Sequence, residues 1–515
     1  MKYLGLDVGT TGVKAAVFDD FGIMHGYGFQ SYPIQFGPNQ CAEQDALLVW
    51  ERAKQAIRAA TQAAGDDIAA ISLSVQGDAV IPIGRDGLPL HSFLLGMDYR
   101  SAPQAEHCAD HFGAEFLFSH TGMRPHPMNS LTKIMWFAQE RPQLHEAAAK
   151  YMTYADFFLQ QLGADAPAID LSMASRTMAL DLRTRSWSEE LLNFANCPVE
   201  KLSQPCPPGT VVGHMGARLA DELKIRPGAA IVAGGHDQTC AALGAGLVAD
   251  DGIALNSHGT AEVLSAAFDS PRLNRRMFEG NYPCTLYAQP GRYFTFALNH
   301  TGGVLLQWFR DGFCEKEIAH ARELQIDPYT HLIAQAPMHR PSSVMALPHF
   351  NGRATPHCDL DARGAFVGLT MNTTRAELTK AIMDALAYEM KLNMEALRAA
   401  NVPIRKLRCV GGAARSEAWL QLKADIMGVE VETLQTRESA CLGAAMLAAA
   451  GIGTFRDLTQ AAQSMVRADR QFVPDPKRSP LYIEHYALYK QLCADLERFN
   501  HSFTRIQTIS DREEK

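Results

Sequence analysis

Asp7, Gly9, Thr10, Thr11 and Gly12 stand together in GLDVGTTG at the end of an apolar run. A glycine–threonine turn after a strand exposes consecutive backbone N–H groups, which bind phosphate oxygens well. Threonine hydroxyls add donors, and glycine removes the Cβ that would hold a phosphate away. A carboxylate repels phosphate, so Asp7 fits this stretch if Mg²⁺ lies between, held by carboxylate, water and phosphate oxygens. Alone, the octet also reads as a β-hairpin with a solvent-exposed aspartate. A second Gly-Thr, Gly259-Thr260, occurs half a chain later in ALNSHGTAEVLSAAF.

The stretch VAGGHDQTCAALGAG (232–246) brings an apolar strand to Gly234-Gly235 and then His236, Asp237 and Gln238. A carboxylate at a strand-to-helix junction inside a cleft can take a proton from a substrate hydroxyl. Gln238 can hold a neighbouring hydroxyl. The other reading of Asp237 is a helix N-cap, and His236 reads as a packing or hydrogen-bonding residue. GGAARS (411–416) again follows a strand and opens a helix. Its glycines permit a flat ligand such as adenine to approach the backbone, or else a tight βα loop.

These residues need a scaffold. Residues 3–8, 13–18 and 23–29 read as an antiparallel meander, followed by a helix over 46–63 and a strand over 68–75 that stops at Gln76-Gly77-Asp78. A strand at 79–83 follows. The frame GLDVGTTGVKAAVF (5–18) recurs as 254–268: apolar strand, polar residue, Gly-Thr, second strand ending in phenylalanine. That repeat predicts two similar domains, 1–248 and 249–515, each presenting a Gly-Thr turn to a shared cleft. A helical stripe through Ile382, Leu386, Met390, Met394 and Leu397 predicts a core helix. A strand at 406–410, a helix at 417–427, a strand at 429–433 and a small-residue helix at 440–450 follow. The last segment, 479–501, reads as helical and peripheral.

Composition sets bounds. The length of 515 residues favours more than one core. A net charge of −8 excludes a general nucleic-acid surface. The eleven cysteines form no CxxC pair and fit free thiols in a reducing compartment. No signal peptide and no membrane-spanning stretch is read, so the expectation is a soluble cytoplasmic protein.

With these motifs in hand, the chain resembles the FGGY carbohydrate kinases from residue 1 to about 455. The resemblance is carried by LDVGTT, GGHDQ, Gly259-Thr260, GGVLLQWFRD (302–311) and GGAARSEAWLQLKADIMG (411–428), and by MNSLTKIMWFAQE (128–140) and GAFVGLTMNTTRAELTKAIMD (364–384). It implies an α/β, actin-like (ribonuclease-H-like) ATPase fold with two similar domains around a central cleft. The reaction implied is transfer of the ATP γ-phosphoryl group to a sugar or polyol hydroxyl. By the same resemblance Asp237 is the catalytic base and Asp7 the Mg²⁺-associated carboxylate. Thr10, Thr11, Gly259 and Thr260 contact phosphate, and Gly303, Gln307, Gly411, Gly412 and Ser416 line the nucleotide. Gln76, Asp78, Asp98 and Gln238 are expected to bind acceptor hydroxyls. For Asp78 a solvated loop residue is the other reading, and for Arg100 a structural ion pair.

The substrate side departs from familiar members. Glycerol kinases carry Arg-Glu after the glutamine and xylulose kinases Met-His, whereas this chain has Gln76-Gly77-Asp78. Met128 stands where glycerol kinases place a tyrosine. Gly77 in place of a bulky residue suggests room for an acceptor larger than glycerol. Expected partners are a small sugar or polyol, with no nucleic acid, no membrane and a possible homodimer. The competing readings are an actin-like ATPase without a sugar acceptor and, within the family, a xylulose kinase.

Overall fold

The computed structural model describes residues 1–38, 40–249 and 252–513, with side chains through 506. Two sheets dominate. The first contains β1 (Lys2–Val8), β2 (Gly12–Asp19), β3 (Met24–Ser31), β4 (Ile68–Val75), β5 (Val211–His214) and β6 (Ala230–His236), in the order β5-β6-β4-β1-β2-β3. The second contains β7 (Ile253–His258), β8 (Glu262–Phe268), β9 (Thr285–Leu286), β10 (Tyr293–Asn299), β11 (Lys406–Gly411), β12 (Glu430–Leu434) and β13 (Ala468–Phe472), in the order β9-β10-β8-β7-β11-β12-β13.

The shared frame is plain in the pairing. β3-β2-β1 is an antiparallel meander continued by parallel β4 and β6. β10-β8-β7 is the same meander continued by parallel β11 and β12. The expected repeat of 5–18 in 254–268 is therefore β1–β2 against β7–β8. β4 (IAAISLSV) is buried at every position, as a strand covered on both faces must be.

The helices that matter here are α1 (Ala46–Ala64), α2 (Ser130–Glu140), α3 (Asp237–Gly244), α4 (Gly303–Phe313), α5 (Arg375–Ala399), α6 (Glu417–Met427), α7 (Ser439–Gly451) and α8 (Ser479–Glu513). Asp45 caps α1 by accepting from the Leu47 and Leu48 N–H groups. α7 comes from the second half of the chain yet packs on the first sheet and on α3. Gly5 meets the Cys441 carbonyl, Gly443 that of Cys240 and Gly244 that of Ser439; a Cβ on any of the three would lie 1.9 Å from the facing oxygen. Small residues in α7 are thus what lets the halves touch. Gly443→Ala is expected to lower stability by at least about 1–3 kcal/mol through overpacking, seen as a reduced thermal midpoint.

Three local expectations change. The strand expected at 79–83 forms only over Ile81–Ile83, because the chain bends at Gly77-Asp78. His236 occupies the N-cap of α3 and Asp237 the first helical position, so Asp237 is no N-cap. α8 is not peripheral at its start: Tyr482, Tyr486, Tyr489 and Cys493 are buried in one core with α5 and α6. Among the described residues no helix is long and apolar enough to cross a membrane. Eight of the eleven cysteines are buried and all are free.

Candidate active site

The first Gly-Thr turn is braced from behind. Register sets Asp7 opposite Lys14 and beside Ser74. Ser74 Oγ donates to Asp7 Oδ1 at 2.7 Å. Gly9 N–H donates to the Gly12 carbonyl at 3.0 Å and closes the turn. Gln44 Nε2 donates to the Thr10 carbonyl at 2.6 Å, and Tyr154 Oη and Gln76 Nε2 donate to Gln44 Oε1 at 2.7 and 3.1 Å. Gln76 thus spends its amide nitrogen on steadying the first Gly-Thr turn. Lys14 Nζ lies 2.8 Å from Glu438 Oε2 just ahead of α7 and joins the two halves.

The second turn is built the same way with other partners. Gly302 N–H donates to the Thr260 carbonyl at 2.8 Å and Gly303 N–H to the Gly259 carbonyl at 2.9 Å, so α4 starts against the turn. Gly411 has φ +89°, and a Cβ there would lie 2.4 Å from the His258 carbonyl oxygen. Only glycine lets β11 leave its sheet so close to β7. Gly259, Thr260, Gly303, Gln307, Gly412 and Ser416 all line one cavity of about 740 Å³, together with Tyr329, Ile333 and Trp419. Gly411 lines the neighbouring cavity of about 480 Å³ with Lys14 and Glu438. Ser416 also caps α6, accepting from Trp419 N–H at 3.3 Å.

Asp237 lies within electrostatic reach of Asp7 in the first turn and of Asp78 and Arg176. Its side chain keeps 29 % of its surface exposed, while neighbouring His236 is buried. Gln238 N–H donates to Asp237 Oδ1 at 2.6 Å, and His236 Nε2 lies 3.1 Å from the same oxygen. Burial, then the negative charge of Asp7, pushes the Asp237 carboxyl up to about 7. Burial and the charge of Arg176 hold His236 well below the usual imidazole range, so it stays neutral and orients Asp237 rather than acting as a base.

The acceptor end differs from the sequence reading. Asp78 is no solvated loop residue: it is 5 % exposed, and Arg176 Nη2 donates to its Oδ2 at 2.6 Å. Gly77 leaves no empty pocket either. The His236 ring lies 2.9 Å and Arg176 Nε 3.6 Å from where its Cβ would be, so the expected room is already filled. Asp98 is a further correction. It is fully buried, accepts from Ala42 N–H at 2.7 Å and is gripped by Arg100 at 2.7 Å, which also reaches Glu43 at 2.6 Å. Both its oxygens already accept from Arg100 or Ala42 N–H, in place of the open carboxylate the sequence suggested, and the ion-pair reading of Arg100 holds.

Family models make the assignment. The N-terminal domain of the FGGY family of carbohydrate kinases matches residues 2–244 and its C-terminal domain residues 254–452. The chain belongs to the FGGY family of carbohydrate kinases. It is 29 % identical to a gluconokinase of Bacillus subtilis over 92 % of this chain and 91 % of that one. It is 26 % identical to a xylulose kinase of Staphylococcus epidermidis over 96 % of this chain and 98 % of that one. A crystal structure of ligand-bound xylulose kinase from Lactobacillus acidophilus superposes with a TM-score of 0.87 at 25 % identity, covering 98 % of this chain and 99 % of that one. The fold is the actin-like ATPase fold of these kinases. As an FGGY kinase the chain uses ATP to phosphorylate a sugar or polyol hydroxyl.

Sequence reasoning missed what underlies the second turn of this FGGY kinase. Lys423 of α6 is fully buried and its Nζ donates to Glu262 and Asn256 and lies 3.2 Å from His258 Nδ1. Burial pushes the Glu262 carboxyl up, but His258 and Lys423 outweigh that and hold it down at about 2. The His258 ring meets Trp419 edge-on at 4.8 Å. These residues clamp the Gly259-Thr260 turn from below. Lys423 and Glu262 are 161 positions apart, and no local spacing reveals the pair.

Proposed function

We propose that Asp237 is the general base that takes the proton of the acceptor hydroxyl while the γ-phosphoryl group of ATP is transferred to it. Residues 1–248 then form the acceptor-side domain and 249–515 the nucleotide-side domain. The observation that carries this reading is Asp237 itself: open to the cleft, oriented by a neutral histidine, and raised to about 7, where a base is half-ionised near neutral pH. Thr10, Thr11, Gly259, Thr260 and Gly411 would meet the phosphates. Gly303, Gln307, Gly412 and Ser416 would hold the nucleoside in the cavity of about 740 Å³ they line. Asp78 and Gln238 would meet acceptor hydroxyls, with Gln76 holding the phosphate turn in place.

The residues present fit Mg²⁺. Asp7 and Asp237 are acids in mutual electrostatic contact, and the cation beside Asp7, Lys14, is already paired with Glu438. A hard divalent ion with oxygen ligands suits such a set, with Asp7 as the protein carboxylate. Bound there, it would neutralise charge on the phosphates. The protein's own part is positioning: turns fix the phosphates, Asp237 receives one proton, and the two halves exclude water.

ADP release should require an added acceptor, tested with ATP and Mg²⁺ against xylulose, ribulose, xylitol, gluconate and glycerol. Acceptor-independent hydrolysis unaffected by Asp237→Asn would instead favour an ATPase without a sugar acceptor. A pH series gives an independent check. Because Asp237 accepts a proton only when ionised, kcat/KM for the acceptor should rise with pH and level off above about 7. A profile flat between about pH 5.5 and 7 would speak against this base.

A further inference from the structure

We propose that the groove between the β2–β3 turn of the first half and the segment 435–438 of the second is a second nucleotide site, separate from the one that donates the phosphoryl group. It encloses about 880 Å³, within the range of small-molecule sites. The proposal goes beyond the kinase reading and uses none of the residues assigned above to catalysis or to the acceptor.

One wall of the groove is apolar. Gly26 and Gly28 of β3 pack on the Ala60 and Ala56 carbonyls of α1, so alternation turns Tyr27 to the other face of this edge strand. Phe21, Ile23 and Met24 line the groove with it, and the four keep 40 to 60 % of their surface exposed. Large apolar side chains gathered in the open mark a binding groove or an interface.

The other wall is cationic. Arg415, Arg437 and Arg467 line it. Among the described residues none of the three has a carboxylate partner, and Arg467 reaches only the Gln463 carbonyl at 3.4 Å. The neighbouring acids are taken: Glu438 by Lys14 at 2.8 Å, Asp469 by Arg470 at 3.4 Å, and Asp20 by the amino terminus at 2.6 Å. Three uncompensated guanidinium groups thus converge on one groove of a chain whose net charge is −8. Such a local field draws an anion.

The two walls together decide which anion. Arginine's planar fork matches two phosphate oxygens, and several forks suit more than one phosphate. Aromatic and aliphatic side chains opposite them can cover the face of a flat ring. A sugar phosphate, hydroxylated all round, would leave that wall unused, whereas a nucleoside di- or triphosphate uses both. The groove also adjoins the reacting groups. Arg415 lines both it and the cavity of about 740 Å³. Glu438 lines it too, and its partner Lys14 stands opposite Asp7 in the register of β1 and β2. A ligand spanning the walls would therefore hold the halves together beside the Lys14–Glu438 pair.

The test is equilibrium dialysis of ADP with Mg²⁺ against the full chain, comparing wild type, Arg437→Ala/Arg467→Ala and Tyr27→Ser. Pyrophosphate binding, thermal midpoints and size-exclusion chromatography are measured in parallel. Expected are two ADP per chain in wild type and one in the arginine variant. Both arginines are exposed, so the midpoint without ligand should not move. Tyr27→Ser should weaken the second ADP by about tenfold, the worth of one stacked base, and leave pyrophosphate binding unchanged. One ADP per chain in wild type, or two retained by the arginine variant, overturns the proposal. So does pyrophosphate that binds the groove as tightly as ADP while Tyr27→Ser has no effect, since the groove would then hold any anion. A dimer that the arginine variant abolishes, with one ADP per chain, would show the groove covered by a second copy and overturns it as well.

Discussion

Asp237→Asn should lower kcat for phosphoryl transfer by about 10²- to 10⁴-fold, the usual range for a lost general base. KM for the acceptor should move little, because asparagine keeps the shape and can still accept from Gln238 N–H. Stability should not fall. A carboxyl raised from 3.8 to about 7 in the folded chain destabilises it progressively as pH rises through that interval. Removing the charge should therefore leave the thermal midpoint at pH 8 equal or higher. A mutant that lost activity only by unfolding would show the opposite. Steady-state kinetics with a melting curve on the same sample separate the two.

Lys423→Met should be the most damaging change away from the reacting groups. It strands Glu262, whose side chain is 0 % exposed, in a pocket with only His258 as partner. Breaking a buried ion pair on one side costs about 3–5 kcal/mol. The pH dependence identifies the cause. Glu262 is held at about 2, below its ordinary 4.5, so its contribution to stability is complete above 4.5 and is lost as pH falls toward 2. Without Lys423 that contribution shrinks. The gap between wild type and variant should be widest near neutral pH and should narrow below about 4.5. Because the pair braces Gly259-Thr260, KM for ATP should also rise, by about tenfold or more. A uniform gap at all pH values would indicate lost packing rather than a lost ion pair.

Much of the frame was legible because it is local. β4 and α6 fall at the residues expected from their apolar runs and bounding motifs. The strand–turn–strand repeat of 5–18 in 254–268 is local enough to be read directly, and it corresponds to β1–β2 and β7–β8. The small-residue helix at 440–450 was legible too, and the structure adds what its Gly443 meets, the Cys240 carbonyl on α3. The acceptor side was less legible because it is assembled from distant segments. Asp78 and Arg176 are 98 positions apart. A glycine at 77 reads as open space in one dimension, yet His236 and Arg176 fill it in three. Asp98 looked available because its own partners, Arg100 and the Ala42 amide, could not be seen as consuming both oxygens. The membership of Glu262 and Lys423 in one clamp needed the sheet register and α6 together.

A structure of the protein with a non-hydrolysable ATP analogue, Mg²⁺ and its best acceptor tests the account most directly. The distance to measure runs from the Asp237 carboxylate to the nearest acceptor hydroxyl. A value of about 2.6–3.2 Å, with that hydroxyl facing the terminal phosphorus, is the result expected of a general base. An acceptor bound with no hydroxyl in reach of Asp237, or a terminal phosphate turned toward another part of the cleft, would contradict it.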